Sequence, residues 1–167
     1  NMNGYDTYYY AWHDKMDQAL TFHADKAKME IVIKSTDGKN YKLKDDEYVL
    51  TENPQDGSGD TFKVEVEDIK KIVDREFNKM NNNQENDYTG LTVTLKCEAT
   101  LNDLAALDTG RPGFENDVRL EFSNDADSNG KGETGFTPWD TVVCFTFEVD
   151  GLKTNNHGTK LEGAKFR

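Results

Sequence analysis

Alternating hydrophobic and polar positions predict β-strands along most of the chain. The clearest alternation runs from Leu91 to Leu101, where every second residue is apolar. Further strands are predicted at 5–14, 29–34, 41–43, 48–50, 62–66, 118–122 and 141–149. The 141–149 segment has apolar residues on both faces, which predicts a central strand that is covered on both sides.

The hydrophobic period changes once, directly after the predicted strand 62–66. The apolar positions of the next segment follow helical spacing: Ile69, Ile72, Val73, Phe77 and Met80. Asp68 stands near the start of this segment and Lys79 near its end, where their charges complement the helix dipole. The pattern predicts an amphipathic helix over residues 68–80, the only long helix of the chain.

About eight strands with turn signals between them and a single helix are typical of an all-β protein. The predicted fold is an immunoglobulin-like antiparallel β-sandwich with one amphipathic helix insertion. The composition becomes more polar after Asp150. This shift predicts a domain over residues 1–150 that is followed by a polar linker over residues 151–167.

The chain is acidic, with 32 Asp and Glu against 20 Lys and Arg and a net charge of −12. This balance argues against nucleic acid as the main partner, because phosphate binding needs a basic surface. It also disfavours binding to an anionic membrane surface. The apolar runs are only a few residues long, so the sequence predicts no membrane insertion in this segment.

One loop resembles the first half of a calcium-binding loop. Asp125, Asp127, Asn129 and Gly130 occupy EF-hand-like offsets, but the twelfth position is Phe136 where such loops have a bidentate Glu. A Gly/Asn/Asp-rich connection between two strands explains the same residues. We therefore expect an ordinary loop and neither a metal ion nor a cofactor.

Cys97 and Cys144 both fall in the middle of predicted strands. Burial as two small apolar residues is the favoured interpretation, and a cross-strand disulfide outside the cell is the alternative.

The first predicted strand ends with a carboxylate beside large aromatic side chains. Tyr8, Tyr10, Trp12 and Asp14 share one face of this strand. Either the aromatic rings desolvate Asp14 and raise its pKa, or Asp14 caps the turn that follows. The local pattern favours the cap. His13 points to the opposite face and is expected at the surface.

Four stretches resemble, in the same order, the isopeptide-forming second domain of Gram-positive sortase-assembled pilins and related fimbrial surface proteins. They are 10–22 with Tyr-Ala-Trp-His-Asp, 91–102, 115–125 with Glu-Asn-Asp-Val-Arg-Leu-Glu-Phe, and 137–147 with Thr-Pro-Trp-Asp. The resemblance covers residues 5–150. Residues 152–166 look like the entry into a following domain of the collagen-adhesin B type.

The resemblance implies a spontaneous Lys–Asn isopeptide bond that a buried acid assists. Motif by motif, Asp14 would be the assisting acid and Asn116 the acceptor, with Asn124 as the alternative acceptor. The family has its reactive lysine on a strand upstream of the Tyr5 segment, and this chain lacks that lysine. We therefore expect a truncated pilin piece, or a split domain that binds a separate lysine-bearing strand. Lys153 matches the reactive lysine of the next domain.

The resemblance also implies an extracellular location in the cell wall or fimbrium, and contacts with other pilin subunits and sortase. No catalytic turnover is implied. The chain departs from the family at Cys97, where an aromatic residue is usual, and it lacks the sorting signal and the pilus-linking lysine motif.

A host-ligand or carbohydrate-binding module is the alternative function. An exposed cluster of Tyr5, Tyr9 and Trp139 would favour it, whereas a buried Asp14 next to Asn116 would favour the crosslink. A hydrolase would need a carboxylate pair in a cleft, and the sequence has no motif for one.

Overall fold

The computed structural model describes residues 2–78, 86–106, 113–127, 130–146 and 154–160. These residues are mostly antiparallel β-structure, which confirms the predicted all-β class. The strands are β1 Tyr10–Met16, β2 Leu20–Phe22, β3 Glu30–Lys34, β4 Asn40–Lys42, β5 Val49–Glu52, β6 Phe62–Val66, β7 Thr92–Lys96, β8 Ala99–Leu101, β9 Phe114–Ser123, β10 Thr134–Phe136 and β11 Asp140–Cys144. The α-helices are α1 Ile69–Glu76 and α2 Asp103–Ala106, and a short 3-10 helix spans Lys26–Lys28.

The largest sheet has the strand order β10-β9-β1-β6-β5, and β11 also pairs with β9. All of its neighbouring strands are antiparallel. β1 lies between β6 and β9, and its register places Asp14 opposite Phe62 on one side and Val118 on the other. The predicted acid therefore lies in the interior of a sheet and not at its edge.

A second sheet has the order β4-β3-β7, and β2 pairs with β8 as a separate ribbon. One hydrophobic cluster joins Trp12 and Val64 of the large sheet, Ile31 and Ile33 of β3, and Ile72 of α1. The two sheets and the helix therefore share a core. Each fully buried aliphatic side chain in it contributes roughly 1.5–3 kcal/mol to folding.

The helix begins where the sequence predicts. Asp68 is its N-cap, and its carboxylate accepts hydrogen bonds from the backbone N–H groups of Lys71 and Tyr8, both at 3.1 Å. Ile72 and Val73 bury the predicted apolar face. The helix ends at Glu76 with Phe77 as its C-cap, earlier than predicted, and residues 79 and 80 are outside the described part.

Three strand predictions were wrong in detail. The first predicted strand, 5–14, begins only at Tyr10 and continues to Met16. The predicted strand 91–101 is interrupted at Cys97, so that β7 pairs with β3 while β8 pairs with β2. The expected covered central strand is also wrong: β11 is exposed at every position and, among the described residues, pairs only with β9. Apolar residues on both faces are thus compatible with an exposed strand, as Val142 and Val143 demonstrate.

The predicted boundary at residue 150 lies outside the described residues. Of the predicted second unit, the structure describes residues 154–160, where Thr154 and Lys160 form an isolated antiparallel bridge. In the described ranges, no helix has the length and apolar character needed to cross a membrane.

Candidate functional site

A pocket of about 540 Å³ opens beside the large sheet, next to the end of β7. Trp12 and Asp14 of β1 line it together with Asn116 of β9, and Leu95 and Cys97 contribute from the second sheet and the residue after it. No lysine is among the described residues that line the pocket.

Asp14 and Asn116 are in direct contact in this pocket. The alternation of β1 directs Asp14 to the same face as Trp12. On β9, Val118 pairs with Asp14, and Asn116 lies two residues before Val118, opposite Met16. Asp14 and Asn116 are therefore diagonal neighbours on the same face of the sheet. Asn116 Nδ2 donates a hydrogen bond to Asp14 Oδ2 at 3.1 Å. The contact that the sequence analysis expects is therefore present.

This polar pair is incompletely hydrogen-bonded. Asp14 is only 5% exposed. Its Oδ1 atom and the Oδ1 atom of Asn116 are buried and have no hydrogen-bond partner in the described residues. Buried polar atoms without partners cost roughly 1–3 kcal/mol each, so a group that supplied hydrogen bonds to this pair would gain affinity from them.

Burial raises the pKa of Asp14 to about 6. The hydrogen bond from Asn116 opposes this shift, and the negative charges of Asp60 and Asp117 reinforce it. Asp14 is therefore partly protonated near neutral pH, as an acid that moves protons must be. Between the two sequence-based interpretations of Asp14, the desolvated carboxyl fits this structure.

The raised pKa predicts a pH-dependent stability effect of Asp14→Asn. Folding favours the protonated form of Asp14, so its contribution is fully present below pH 4 and is lost as the pH rises through about 6. The amide of the variant would carry no charge to bury. We expect Asp14→Asn to be more stable than the wild type at pH 8, by on the order of 2 kcal/mol, with the difference vanishing below pH 4.

Urea denaturation at a series of pH values measures this difference. Asp45→Asn, which removes an exposed carboxylate, is the matched control and is expected to have little effect at any pH. A constant difference from pH 4 to pH 8 would contradict the assigned ionisation of Asp14.

The opposite face of β1 holds a buried ionic cluster, and the expectation that His13 lies at the surface was wrong. His13 is 3% exposed. Its Nδ1 lies 2.6 Å from Asp60 Oδ2 and its Nε2 lies 2.9 Å from Glu121 Oε2. Carboxylates only accept hydrogen bonds, so each of these contacts with an ionised acid needs an N–H on the facing ring nitrogen of His13.

Glu121 is the centre of this cluster. Lys131 Nζ lies 2.7 Å from its Oε1 atom, and the Thr134 hydroxyl donates to the same oxygen at 2.8 Å. Lys63 Nζ lies 3.7 Å from its Oε2 atom. Burial raises the pKa of Glu121, but the hydrogen bonds from Lys131, Thr134 and His13 outweigh burial and hold the pKa at about 2.

Sequence reasoning missed Asp60 and Glu121. Glu121 alternates to the polar side of its strand, which reads as a solvated face, and Asp60 sits in a Gly/Ser-rich loop. Both acids contact His13 only after folding. No fixed spacing along the chain links either of them to His13, so no sequence signal identifies them.

The structure does not bring the alternative acceptor to the acid. Asn124 is exposed and follows the last residue of β9. From Val118, the partner of Asp14, to Asn124 the chain advances roughly 20 Å. Lys153 lies outside the described residues, so its expected role in a following domain stays a prediction.

The calcium-like loop is described only in part, because Asn129 is outside the described residues. Asp125 Oδ1 accepts a hydrogen bond from the backbone N–H of Asp127 at 3.1 Å, a contact typical of a turn. In the ranges that the structure describes, no group of three or more His, Cys, Asp or Glu could hold a metal ion.

We expect millimolar calcium to leave the melting temperature unchanged, because the loop lacks the closing bidentate carboxylate. A ligand that binds the native state would raise the melting temperature by mass action. Differential scanning calorimetry with calcium and then with a chelator measures this. A rise that the chelator reverses would show that the loop binds the ion.

The favoured interpretation of the cysteines was wrong, because both residues are exposed; both are also free of disulfides. Cys97 follows β7 and lines the pocket. Although Cys97 is exposed as a whole residue, it lines the pocket, where desolvation and the nearby charge of Asp14 raise the pKa of its thiol to about 11. Cys97 is therefore protonated at neutral pH and a poor nucleophile.

The three aromatic residues proposed for ligand binding do not form one exposed cluster. Tyr9 is 4% exposed, and its hydroxyl donates to Glu65 at 2.5 Å. Tyr5 and Trp139 are partly buried. The feature that would favour a host-ligand module over the crosslink is therefore missing at these positions.

No protein-family profile matches the chain, and no curated protein is significantly similar to it.

Proposed function

We propose that the chain is a structural, immunoglobulin-like domain of a cell-wall-anchored pilin or surface adhesin, in which a lysine forms an isopeptide bond with Asn116. Asp14 would assist the reaction, and the chain would have no substrate to turn over. The observation that carries this proposal is the buried contact between Asp14 and Asn116 at the pocket.

The reaction needs only one proton shuttle. A neutral lysine Nζ attacks Cγ of Asn116, forming a C–N bond and a tetrahedral intermediate. Asp14 donates its proton to Asn116 Nδ2, its hydrogen-bond neighbour, and the C–Nδ2 bond breaks to release ammonia. Asp14 then takes a proton from Nζ, so the acid is regenerated and the product is a secondary amide.

The surroundings suit both protonation states that this reaction needs. The same apolar walls that raise the pKa of Asp14 would lower the pKa of an incoming lysine. Trp12, Phe62 and Val118 supply these walls. Packing of the reacting groups against one another replaces an external enzyme, because it raises their effective concentration.

The second sheet offers a place for a lysine-bearing strand. β7 is an end strand of its sheet in the described part of the chain. Leu95 of β7 lines the pocket, so a strand added to the free edge of β7 would run past the pocket that holds Asn116. Its alternate side chains would point into the pocket, and one of them would be the lysine.

We further propose an extracellular location in the cell wall or fimbrium, with other pilin subunits and sortase as partners. The four ordered motifs support this assignment.

Covalent capture of a strand peptide tests the proposal. The probes are synthetic strand peptides of alternating valine and threonine with one central lysine, at each of several registers. We expect an adduct whose mass equals protein plus peptide minus one ammonia, with the crosslink mapped to Asn116. The same peptides with acetylated lysine are the control, because they lack the nucleophile. No adduct with any register, at any pH from 5 to 9, would contradict the proposal.

A further inference from the structure

The loop that enters β6 clamps the part of β1 that carries Asp14. Thr61 N donates to the Asp14 carbonyl oxygen at 2.7 Å, and Met16 N donates to the Thr61 hydroxyl at 2.9 Å. Next to Thr61, Asp60 reaches the other face of β1 and contacts His13 Nδ1 at 2.6 Å. Two consecutive residues therefore hold β1 on both sides of the candidate acid.

Asp60 is an unusual residue to place there. It is 4% exposed, and its Oδ1 atom is buried without a hydrogen-bond partner in the described residues. A buried carboxylate with one ionic partner is costly, because the desolvation penalty is only partly offset. A role for its charge at a neighbouring group would account for this cost. Asp60 is one of the charges that raise the pKa of Asp14.

We propose that Asp60, held by His13, is a positioning residue for Asp14: together with Thr61 it fixes the β1 segment that carries Asp14, and it places a buried carboxylate on the opposite face of that strand. This inference rests on the proposed isopeptide function. His13 modulates the effect, because an imidazole protonated on both nitrogens would partly offset the charge of Asp60 at the same contact. Glu121 in turn holds the other ring nitrogen of His13.

Other titratable or charged groups also lie around Asp14 and His13. Around Asp14 they are Asp117, Arg119, Asp140 and the Cys97 thiol. Around His13 they are Arg119 on β9, Lys63 on β6, and Lys131 and Tyr9 through Glu121. Unlike each of these groups, Asp60 both contacts His13 on one face of β1 and raises the pKa of Asp14 on the other face.

Two variants with opposite expected effects test the inference. Asp60→Asn removes the negative charge and keeps an amide oxygen that can accept from His13, so the titration midpoint of Asp14 is expected to fall. His13→Gln replaces the imidazole with a neutral amide that still donates to Asp60, so the midpoint is expected to rise. Asp46→Asn, an exposed charge removal, is the matched control and is expected to leave the midpoint unchanged. Carbon-13 NMR of the Asp14 carboxyl measures all three.

The rate of peptide capture provides the second readout. At pH 7, Asp60→Asn is expected to slow capture by the factor by which it lowers the protonated fraction of Asp14, about tenfold for each pH unit of midpoint shift. At pH 5 the two rates should converge, whereas a purely structural defect would slow capture equally at both pH values.

The outcomes separate this inference from the proposed function. If the wild type captures no peptide, the proposed function fails, and the NMR midpoints still decide whether Asp60 acts on Asp14. If capture occurs but the midpoint moves the same way in both variants, or in neither, the inference is overturned. If Asp60→Asn does not fold, a rise of the midpoint in His13→Gln supports the inference, and an unchanged midpoint overturns it.

Discussion

Asn116→Ala is expected to abolish covalent capture of a lysine peptide, because alanine has neither the carbonyl carbon that the amine attacks nor the leaving nitrogen. Asp14→Ala is expected to abolish capture as well, since no neighbouring acid would then protonate Asn116 Nδ2 as it leaves. Both variants should still fold, with a loss of roughly 1–3 kcal/mol in the free energy of unfolding. Intact-mass spectrometry measures capture, and circular dichroism establishes that the variants are folded.

Asn124→Ala is the matched control, because Asn124 is an exposed asparagine on the same segment of chain. It is expected to capture the peptide at the wild-type rate. A full-strength adduct in Asn116→Ala would mean that another residue is the acceptor, and loss of the adduct in Asn124→Ala would identify that residue as Asn124.

Glu121→Ala is expected to be the most destabilising change in the ionic cluster. It would leave His13, Lys63 and Lys131 without the carboxylate that they share. Removing one partner of a buried ion pair typically costs 3–5 kcal/mol, because an uncompensated charge stays buried. We expect a loss of about 3–5 kcal/mol in the free energy of unfolding at pH 7, measured by urea denaturation.

Glu98→Ala is the control for this variant. Glu98 pairs with Lys28 at 3.3 Å, but both side chains are about half exposed, so a loss below about 1 kcal/mol is expected. Acid provides a second check. The pKa of Glu121 is lowered to about 2, so its stabilisation is present above its ordinary value near 4.5 and is lost as the pH falls toward 2. Similar losses in Glu121→Ala and Glu98→Ala would show that the cluster does not support the fold.

The sequence was informative where a side-chain period of five residues or more coincides with a face that is buried. The strand at 62–66 and the helix start at Ile69 are found where the pattern predicts them, because one face of each is buried and the period records that face. Elements of three or four residues, such as β2, β10 and α2, are too short to show a period. The break after β7 depends on which strands pair, and that is decided by tertiary contacts.

The candidate site divides in the same way. Asp14 and Asn116 could be selected from motifs, since each lies in a stretch with a recognisable pattern of neighbours. The cluster behind them could not be selected, because burial of His13 depends on Asp60 and Glu121, which come from distant parts of the chain. From the sequence alone, a polar residue on the outer face of a strand is predicted to be exposed to solvent, because its partners in the fold are not known.

The register between β1 and β9 also determines how the large sheet responds to tension. The two strands are antiparallel, with Tyr10 opposite Phe122 at one end and Met16 opposite Asn116 at the other. A force that pulls the start of β1 away from the end of β9 would load their hydrogen bonds one after another, so the strands would peel apart from Tyr10 onward. Asn116 lies where such peeling would finish. A covalent bond from Asn116 to a strand docked on β7 would therefore keep β9 attached to the second sheet after its ladder with β1 had opened.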